Sequence, residues 1–295
     1  MSYRAGKILN LASIDYSDKS LAELRTLHRK VLEDGVHGLC FSPYLEGQKP
    51  GDQLSEEQIR RRIEIIAPYT SWVRSFSCTE GNELVPKIAR EYGIKTLAGA
   101  WLGDDPEMNE KEVANLVNLC NEGFVDIAAV GNEVLYRGDL TEGELLEFIK
   151  KAKSQIKNVP VGYVDAYYEF RERPAITEAC DILLANCYPF WEGCDQDYSL
   201  LYMKDMYNQV VRAGGGKRVV ITETGWPDKG TNLRGAIPSE ENAIKYFINT
   251  QKWSAEEDIE IFYFSSFDES WKVGAEGDVG AYWGIWDKDE NLKFK

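Results

Sequence analysis

The chain reads Val219-Val220-Ile221-Thr222-Glu223-Thr224-Gly225-Trp226-Pro227 in its last third. The β-branched apolar residues that open this stretch are typical of a strand buried on both faces. The stretch becomes polar at Thr222, and Gly225 and Pro227 end the strand soon afterwards. Glu223 is therefore expected at the carboxyl end of a buried strand, where enzymes of the parallel α/β class keep their catalytic groups. A glutamate that simply meets solvent at a strand end is the alternative.

A unit of amphipathic helix, glycine and short apolar strand recurs along the chain. We predict helices over about 20–34, from Ser55, over 82–92, 110–122, from Thr141, and over 174–179, 199–213 and 240–253. We predict strands over 36–41, 71–76, 94–101, 124–130, 159–164, 181–187, 219–224 and 259–264. Strict alternation of strands and helices predicts a parallel sheet with right-handed crossovers. Eight such units in about 250 residues predict a closed (β/α)8 TIM barrel.

We expect a single catalytic barrel domain over residues 1–295. Residues 1–35 are interpreted as an N-terminal extension followed by the helix that precedes strand one. The apolar stretch Ile8-Leu9-Asn10-Leu11 is expected to cover the bottom of the barrel, and an open doubly wound sheet that uses this stretch is the alternative. No convincing last helix follows strand eight, where Trp283-Gly284-Ile285-Trp286 is expected to close the barrel.

Composition narrows the possible partners. The formal net charge is −15, so nucleic acid and anionic membrane are poor partners and a neutral substrate fits better. No run approaches the roughly 20 apolar residues that cross a bilayer. Residues 1–7 lack the apolar core of a signal peptide. We expect a monomer, cytoplasmic unless a signal was removed, in which case it is extracellular or periplasmic.

The residues that usually hold metals or cofactors are sparse. The two histidines, His28 and His37, lie far from other metal-type ligands, which disfavours zinc sites and His-dependent triads or dyads. Gly214-Gly215-Gly216-Lys217 lacks the flanking residues of a phosphate loop, and 287–291 lacks the glycine of a calcium loop. The six cysteines show no C-x-x-C spacing and are expected to be mostly reduced and buried. We expect neither a metal nor a cofactor.

A second acid ends strand four, in Val130-Gly131-Asn132-Glu133. The carboxyl ends of all strands meet at one rim of such a barrel, so Glu133 and Glu223 are expected to face each other across its mouth. Two carboxyl groups in that arrangement suit cleavage of a glycosidic bond, one as proton donor and the other as nucleophile. A separation of roughly 5–5.5 Å would predict retention of configuration, and roughly 6.5–9.5 Å would predict inversion.

Together, Gly131-Asn132-Glu133 and Thr222-Glu223-Thr224-Gly225-Trp226-Pro227 resemble glycoside hydrolase family 17, the β-1,3-glucanase family. The similarity spans roughly residues 36–295 and is closest to microbial members. It includes Ser42-Pro43-Tyr44, Cys187-Tyr188-Pro189-Phe190 and Phe267-Asp268-Glu269-Ser270-Trp271-Lys272. The resemblance implies an endo-acting retaining hydrolase of β-1,3-glucan such as laminarin. A β-1,3-glucanosyltransferase and a glycan-binding protein without activity are the alternatives.

The resemblance also implies roles for four residues. Glu133 matches the acid/base, Glu223 the nucleophile, Asn132 the group that binds the sugar 2-hydroxyl, and Tyr188 the tyrosine beside the nucleophile. Arg74, at the end of strand two, is expected to hold Glu223 ionised together with Tyr188, although a structural ion pair is the alternative. The negative charge of Glu223 would keep Glu133 protonated at rest. Once Glu223 is glycosylated, that charge is gone, so Glu133 would lose its proton affinity and could activate water.

Further substrate contacts are expected at the strand ends, because sugar faces stack on aromatic rings. The aromatic candidates are Tyr44, Tyr167, Trp191, Trp226 and Trp271, whereas Trp101 and Tyr168 are equally well explained by packing. The polar candidates are Asp165, Asp268, Glu269 and Lys272, of which Glu269 and Lys272 align loosely with a glutamate and a lysine of the family. Asp126, at the start of strand four, is expected to be structural.

Overall fold

A computed structural model describes residues 16, 18–274 and 276–295, and its strands form a closed parallel barrel in chain order. The strands are β1 Val36–Cys40, β2 Thr70–Ser75, β3 Lys95–Ala100, β4 Ile127–Asn132, β5 Val161–Ala166, β6 Leu183–Asn186, β7 Val219–Thr224 and β8 Ile261–Tyr263. The barrel closes where Gly38 of β1 pairs with Phe262 of β8. The predicted (β/α)8 fold is confirmed, and the open sheet is excluded.

Helices connect the strands. They are α1 Leu21–Glu33, α2 Glu56–Ile66, α3 Leu84–Glu91, α4 Pro106–Asn121, α5 Val134–Arg137, α6 Glu142–Gln155, α7 Glu169–Glu172, α8 Pro174–Ala179, α9 Ser199–Gly214 and α10 Glu240–Glu257. Ser55 and Thr141 form the predicted capping boxes. Helix α4 begins four residues before the predicted start, because Asp105 caps it and Pro106 is its first residue.

Register irregularities lie at the carboxyl ends of the strands. The pairing of β4 with β5 shifts between Ala129 and Asn132, and that of β6 with β7 shifts between Ala185 and Asn186. Gly131 has a φ of 87°, and a Cβ there would lie 2.8 Å from Val134. In a regular strand, Asn132 and Glu133 would point to opposite faces, so this distortion is what lets both reach the barrel mouth.

The segment after β8 closes the barrel without an α-helix in the described residues 264–274 and 276–295. The backbone of Ser265 donates to Trp283 and accepts from Ile285, and Trp286 N donates to Ser266 O. The predicted closure by residues 283–286 is therefore confirmed. Two short 3-10 helices, Ser270–Val273 and Gly277–Ala281, precede that closure.

Three further expectations concern the N-terminal apolar stretch, membrane-spanning helices and the cysteines. The stretch Ile8-Leu9-Asn10-Leu11 lies outside the described residues, so its place at the barrel bottom stays a prediction. Among the described helices, none combines the length and apolar character needed to span a membrane. All six cysteines are free, and five of them are buried while Cys194 is partly exposed.

Candidate active site

Glu133 and Glu223 lie close together, because one amide group contacts both carboxyl groups. The Nδ2 atom of Asn186 donates to Oε1 of Glu133 at 2.8 Å and to Oε1 of Glu223 at 3.0 Å. Two oxygens that contact the same nitrogen lie close to each other, which is compatible with the roughly 5–5.5 Å between the carboxyl groups of a retaining pair. The geometry therefore fits the spacing of a retaining pair.

Glu223 is surrounded by hydrogen-bond donors. Arg74 Nη1 lies 2.6 Å from its Oε1, and the Tyr188 hydroxyl donates to its Oε2 at 2.9 Å. With Asn186, three donors face a carboxyl group that is only 6% exposed. An ionised carboxylate only accepts hydrogen bonds, so this environment suits the charged form that a nucleophile needs.

Arg74 links three parts of the site. Besides Glu223, its Nη1 donates to the carbonyl oxygen of Thr222 at 2.9 Å, and its Nη2 donates to Oδ1 of Asn132 at 2.6 Å. Its guanidinium carbon lies 4.3 Å from the centre of the Phe76 ring. Arg74 thus fixes the carboxyl group of Glu223 and orients the side chain of Asn132.

Glu133 has the electrostatic environment of a proton donor. Burial raises the pKa of its carboxyl group to about 7, and the negative charge of Glu223 adds to that rise. The hydrogen bond from Asn186 and the charge of Arg74 oppose the rise, and the charge of Asp165 adds a smaller increase. A carboxyl group with such a pKa holds its proton near neutral pH and can still release it.

The sequence did not identify Asn186, although it lies in the predicted strand 181–187 and directly before Cys187-Tyr188-Pro189-Phe190, which carries part of the family resemblance. Asn186 is the last residue of β6, is 3% exposed, and pairs with Glu223 across the sheet. Its position could have indicated it, because Asn186 is a polar residue at the carboxyl end of β6, the strand that pairs with β7. Nothing in the local pattern shows that its amide reaches both acids.

One wall of the mouth is formed by the segment after β8. Trp271 is partly exposed, packs edge-on against Tyr44 at 5.9 Å between ring centres, and donates from Nε1 to Glu269 at 3.2 Å. Lys272 pairs with Glu269 at 3.2 Å and lies 4.0 Å from the centre of the Phe264 ring. These four predicted contact residues, Tyr44, Glu269, Trp271 and Lys272, are therefore brought together.

The other aromatic residues are distributed around the rim. Trp191 is exposed and packs against Trp283, which also packs against Tyr188. Tyr167 is partly buried, packs on Tyr168, and its hydroxyl donates to Glu192 at 3.3 Å. The exposed ring of Trp191 is available to a ligand, whereas the hydroxyl of Tyr167 is already bound to Glu192.

Trp101, for which packing was an equal alternative, is exposed and lies against a charged group. The guanidinium carbon of Arg137 is 4.3 Å from the centre of the Trp101 ring. Arg137 also donates to the carbonyl oxygens of Asn132 and Leu102. The Trp101 ring is thus held from below and leaves its outer face open.

Two residues that were expected to contact the substrate are buried, and their polar atoms are already hydrogen-bonded within the protein. Trp226 is 1% exposed, packs against Phe190 and Tyr246, and donates from Nε1 to the Ile237 carbonyl. Asp165 is fully buried, and its carboxylate accepts from the Tyr163 hydroxyl and from the Ala166 N–H. Both expectations are corrected here, because a residue at a strand end can point into the layer between strands and helices instead of into the mouth.

Asp268 and Asp126 also have structural partners. The Asp268 carboxylate accepts from Gly284 N at 2.8 Å and from Lys293 Nζ at 3.0 Å, so it does not bind sugar hydroxyls in this arrangement. Asp126 lies before β4, where it accepts from Arg90 and from the backbone N–H of Thr96. Its predicted structural position is confirmed.

Comparison with known sequences points to one family. The family model described as the BtgE/BtgC glycoside hydrolase domain matches residues 38–284. A glucan 1,3-beta-glucosidase of Saccharomyces cerevisiae is 28% identical over 273 residues, covering 83% of this chain and 86% of that protein. The glucan 1,3-beta-glucosidase BGL2 of Candida albicans is 27% identical over 262 residues, covering 79% and 83% respectively.

Solved structures agree with this. The glycoside hydrolase family 17 beta-1,3-glucanosyltransferase of Rhizomucor miehei has a TM-score of 0.78 at 30% identity, covering 88% of this chain and 96% of that chain. An active-site mutant of that enzyme in complex with laminaritriose has a TM-score of 0.79 with the same identity and coverage.

Proposed function

The chain belongs to the β-1,3-glucanases of glycoside hydrolase family 17, and from this premise we propose that it cleaves β-1,3-glucan internally with retention of configuration. The single observation that carries the mechanism is the Asn186 amide that contacts both glutamates. It brings one oxygen of each carboxyl group to the same nitrogen, which supports the close spacing of a retaining pair over the wider gap that holds the attacking water in an inverting pair.

In the first step, Glu223 attacks the anomeric carbon while Glu133 gives its proton to the departing glycosidic oxygen. The bond between the anomeric carbon and that oxygen breaks, and a glycosyl ester of Glu223 forms. Arg74 and Tyr188 keep the nucleophile charged and oriented before the attack. Asn132, whose Oδ1 accepts from Arg74, binds the hydroxyl next to the anomeric carbon in this proposal.

In the second step, the charge of Glu223 is gone, so the pKa of Glu133 loses the larger of its two charge contributions, while burial and the smaller contribution of Asp165 remain. Glu133 is then a carboxylate that takes a proton from water, and the oxygen of that water replaces Glu223 on the anomeric carbon. Both steps invert the carbon, so the product keeps the β configuration.

A glucanosyltransferase is the second candidate, favoured by the Rhizomucor miehei structures, whose enzyme carries that name. In that reaction the hydroxyl of a second glucan takes the place of water in the second step. The Tyr44–Trp271 pair and the exposed rings of Trp101 and Trp191 offer surface on which such an acceptor can stack. The ester intermediate is common to both candidates.

The test is incubation of the enzyme with laminari-oligosaccharides of defined length, with product sizing and proton NMR of the newly formed anomer. Shorter products alone support hydrolysis, and products longer than the substrate support transfer. The β anomer should form first in either case. A first-formed α anomer would contradict the retaining mechanism, and no difference between the wild type and Glu223→Ala would contradict enzymatic activity on these glucans.

A further inference from the structure

Asn186 presents both hydrogens of one amide group to the two acids. A primary amide has two N–H donors, and here Nδ2 lies 2.8 Å from Glu133 and 3.0 Å from Glu223. On the proposed function, we infer that Asn186 is a positioning residue that sets the gap between the acids and selects the oxygen of Glu133 that holds the catalytic proton.

The orientation of the amide is fixed by a neighbour outside the pair of acids. The Thr222 hydroxyl donates to Oδ1 of Asn186 at 2.9 Å, and Thr222 is fully buried. A flipped amide could still donate to the Thr222 hydroxyl, but it would turn its oxygen toward Oε1 of Glu223, and an ionised carboxylate has no hydrogen to donate. The NH2 group therefore faces the acids, since only this orientation satisfies all three contacts.

The contacts distinguish the two oxygens of each acid. On Glu133, Oε1 accepts from Asn186, so the proton resides on Oε2. On Glu223, Oε1 accepts from both Arg74 and Asn186, whereas Oε2 accepts only from the Tyr188 hydroxyl. The less occupied oxygen of each glutamate is thus left for the sugar, Oε2 as the proton donor on Glu133 and Oε2 as the attacking atom on Glu223.

Asn186 also assists the release of the proton. Its N–H group stabilises the ionised form of Glu133, against burial and the charge of Glu223, which favour the protonated form. The titratable and charged groups that face Glu133 are Glu223 on β7, Asp165 on β5, Arg74 on β2 and Tyr188 after β6. These groups remain when Asn186 is replaced, so a change in titration can be assigned to the lost amide.

The experiment compares Asn186→Leu, which keeps much of the volume and removes both donors, with Thr222→Val, which removes the hydroxyl that orients the amide. The matched control is Asn249→Leu on α10, another buried asparagine, whose side chain accepts from Tyr16 outside the site. Two quantities are measured: the pH dependence of kcat/KM on laminari-oligosaccharides, and the pKa of Glu133 by NMR of 13C-labelled glutamate carboxyls. Glu133→Gln assigns the signal.

We expect Asn186→Leu to move the alkaline limb of kcat/KM, and the NMR pKa of Glu133, upward by about one pH unit. We expect kcat to fall by about 10- to 100-fold, because the proton is released less readily and the acid is less well aligned. Thr222→Val should shift both values in the same direction by less. Asn249→Leu should lower the melting temperature and leave both values unchanged.

An unchanged Glu133 pKa in Asn186→Leu would overturn the inference even if activity fell, because that result is what a purely structural asparagine gives. If Asn186→Leu does not fold, Thr222→Val decides by the same criterion. The NMR titration needs no turnover. A wild-type protein inactive on β-1,3-glucans would therefore refute the proposed function and leave the role of Asn186 open to this measurement.

Discussion

Arg74 and Glu223 form an ion pair at 2.6 Å in which the arginine is 1% and the glutamate 6% exposed. Taking two charges out of water is costly, and the attraction between them recovers that cost only with good geometry and further hydrogen bonds. Here Thr222 and Asn132 each accept a further hydrogen bond from the guanidinium, whose Nε has no partner among the described residues, and Tyr188 donates to the carboxylate. The pair is thus a preorganised electrostatic environment for a nucleophile.

Replacement of Arg74 by Met should lower kcat/KM by about 10²–10³-fold, because the cation that keeps the nucleophile charged is lost. Stability should fall by about 3–5 kcal/mol, because Glu223 is left buried without its partner. The double variant Arg74→Met/Glu223→Gln should recover most of this stability and no activity. Arg60→Met, which breaks an exposed pair with Glu91, is the control and should stay close to wild type in both assays. If Arg74→Met showed wild-type kinetics, Arg74 would form only a structural ion pair and would have no role in catalysis.

Replacement of Glu133 by Gln should abolish turnover of unactivated glucan, with a loss of at least about 10²–10⁴-fold, because the leaving oxygen receives no proton. Binding measured by calorimetry should stay nearly unchanged, since the side chain keeps its shape and its contact with Asn186. An aryl β-glucoside with a good leaving group should still glycosylate Glu223, because its departure requires no acid. Lost binding in the calorimeter would contradict the role assigned to Glu133.

The raised pKa of Glu133 predicts a pH-dependent cost in stability. Its value of about 7 in the folded state exceeds the ordinary value of 4.5, so the folded protein binds the extra proton between these two pH values. That contribution is present at low pH and is lost as pH rises through about 7. Relative to the difference between the two proteins at pH 4, Glu133→Gln should therefore gain about 3 kcal/mol of stability over wild type at pH 8.

Thermal unfolding of both proteins at pH 4 and pH 8 measures this difference. Asp165 and Asp268, whose pKa values burial raises to about 6, titrate in both proteins and cancel in the comparison. An equal difference in melting temperature at the two pH values would show that Glu133 titrates normally in the folded protein.

Two tryptophans at the barrel mouth should respond in opposite ways. Trp271→Ala should weaken binding of laminari-oligosaccharides by about tenfold with little loss of stability, because its partly exposed ring is available for stacking. Trp226→Phe should leave KM unchanged and lower stability by about 1–3 kcal/mol, because the smaller ring leaves a gap in the core and the Ile237 carbonyl keeps only one of its two donors, Asn242. Calorimetric affinity and melting temperature separate the two effects, and a raised KM in Trp226→Phe would restore that residue to the substrate contacts.

Several site residues could be predicted from sequence, because the carboxyl ends of all strands in a closed parallel barrel lie at the same rim. Glu133, Glu223 and Arg74 were placed in that way, Asn132 and Tyr188 were assigned through the family resemblance, and the structure brings all five together. The same reasoning wrongly predicted that Trp226 and Asp165 also reach the barrel mouth. Each follows or ends a strand, and whether its side chain turns inward or outward depends on local register, which the residue types do not encode.

The sequence by itself determined the eight helix and strand units, their order and the strands that end in acids, because periodicity, glycine helix ends and capping residues act over a few positions. Only the tertiary structure decided that one amide lies between those acids. Asn186 is 53 positions from Glu133 and 37 from Glu223, and its contacts depend on the register shifts beside it. Register is a property of paired strands, so no single stretch of sequence contains it.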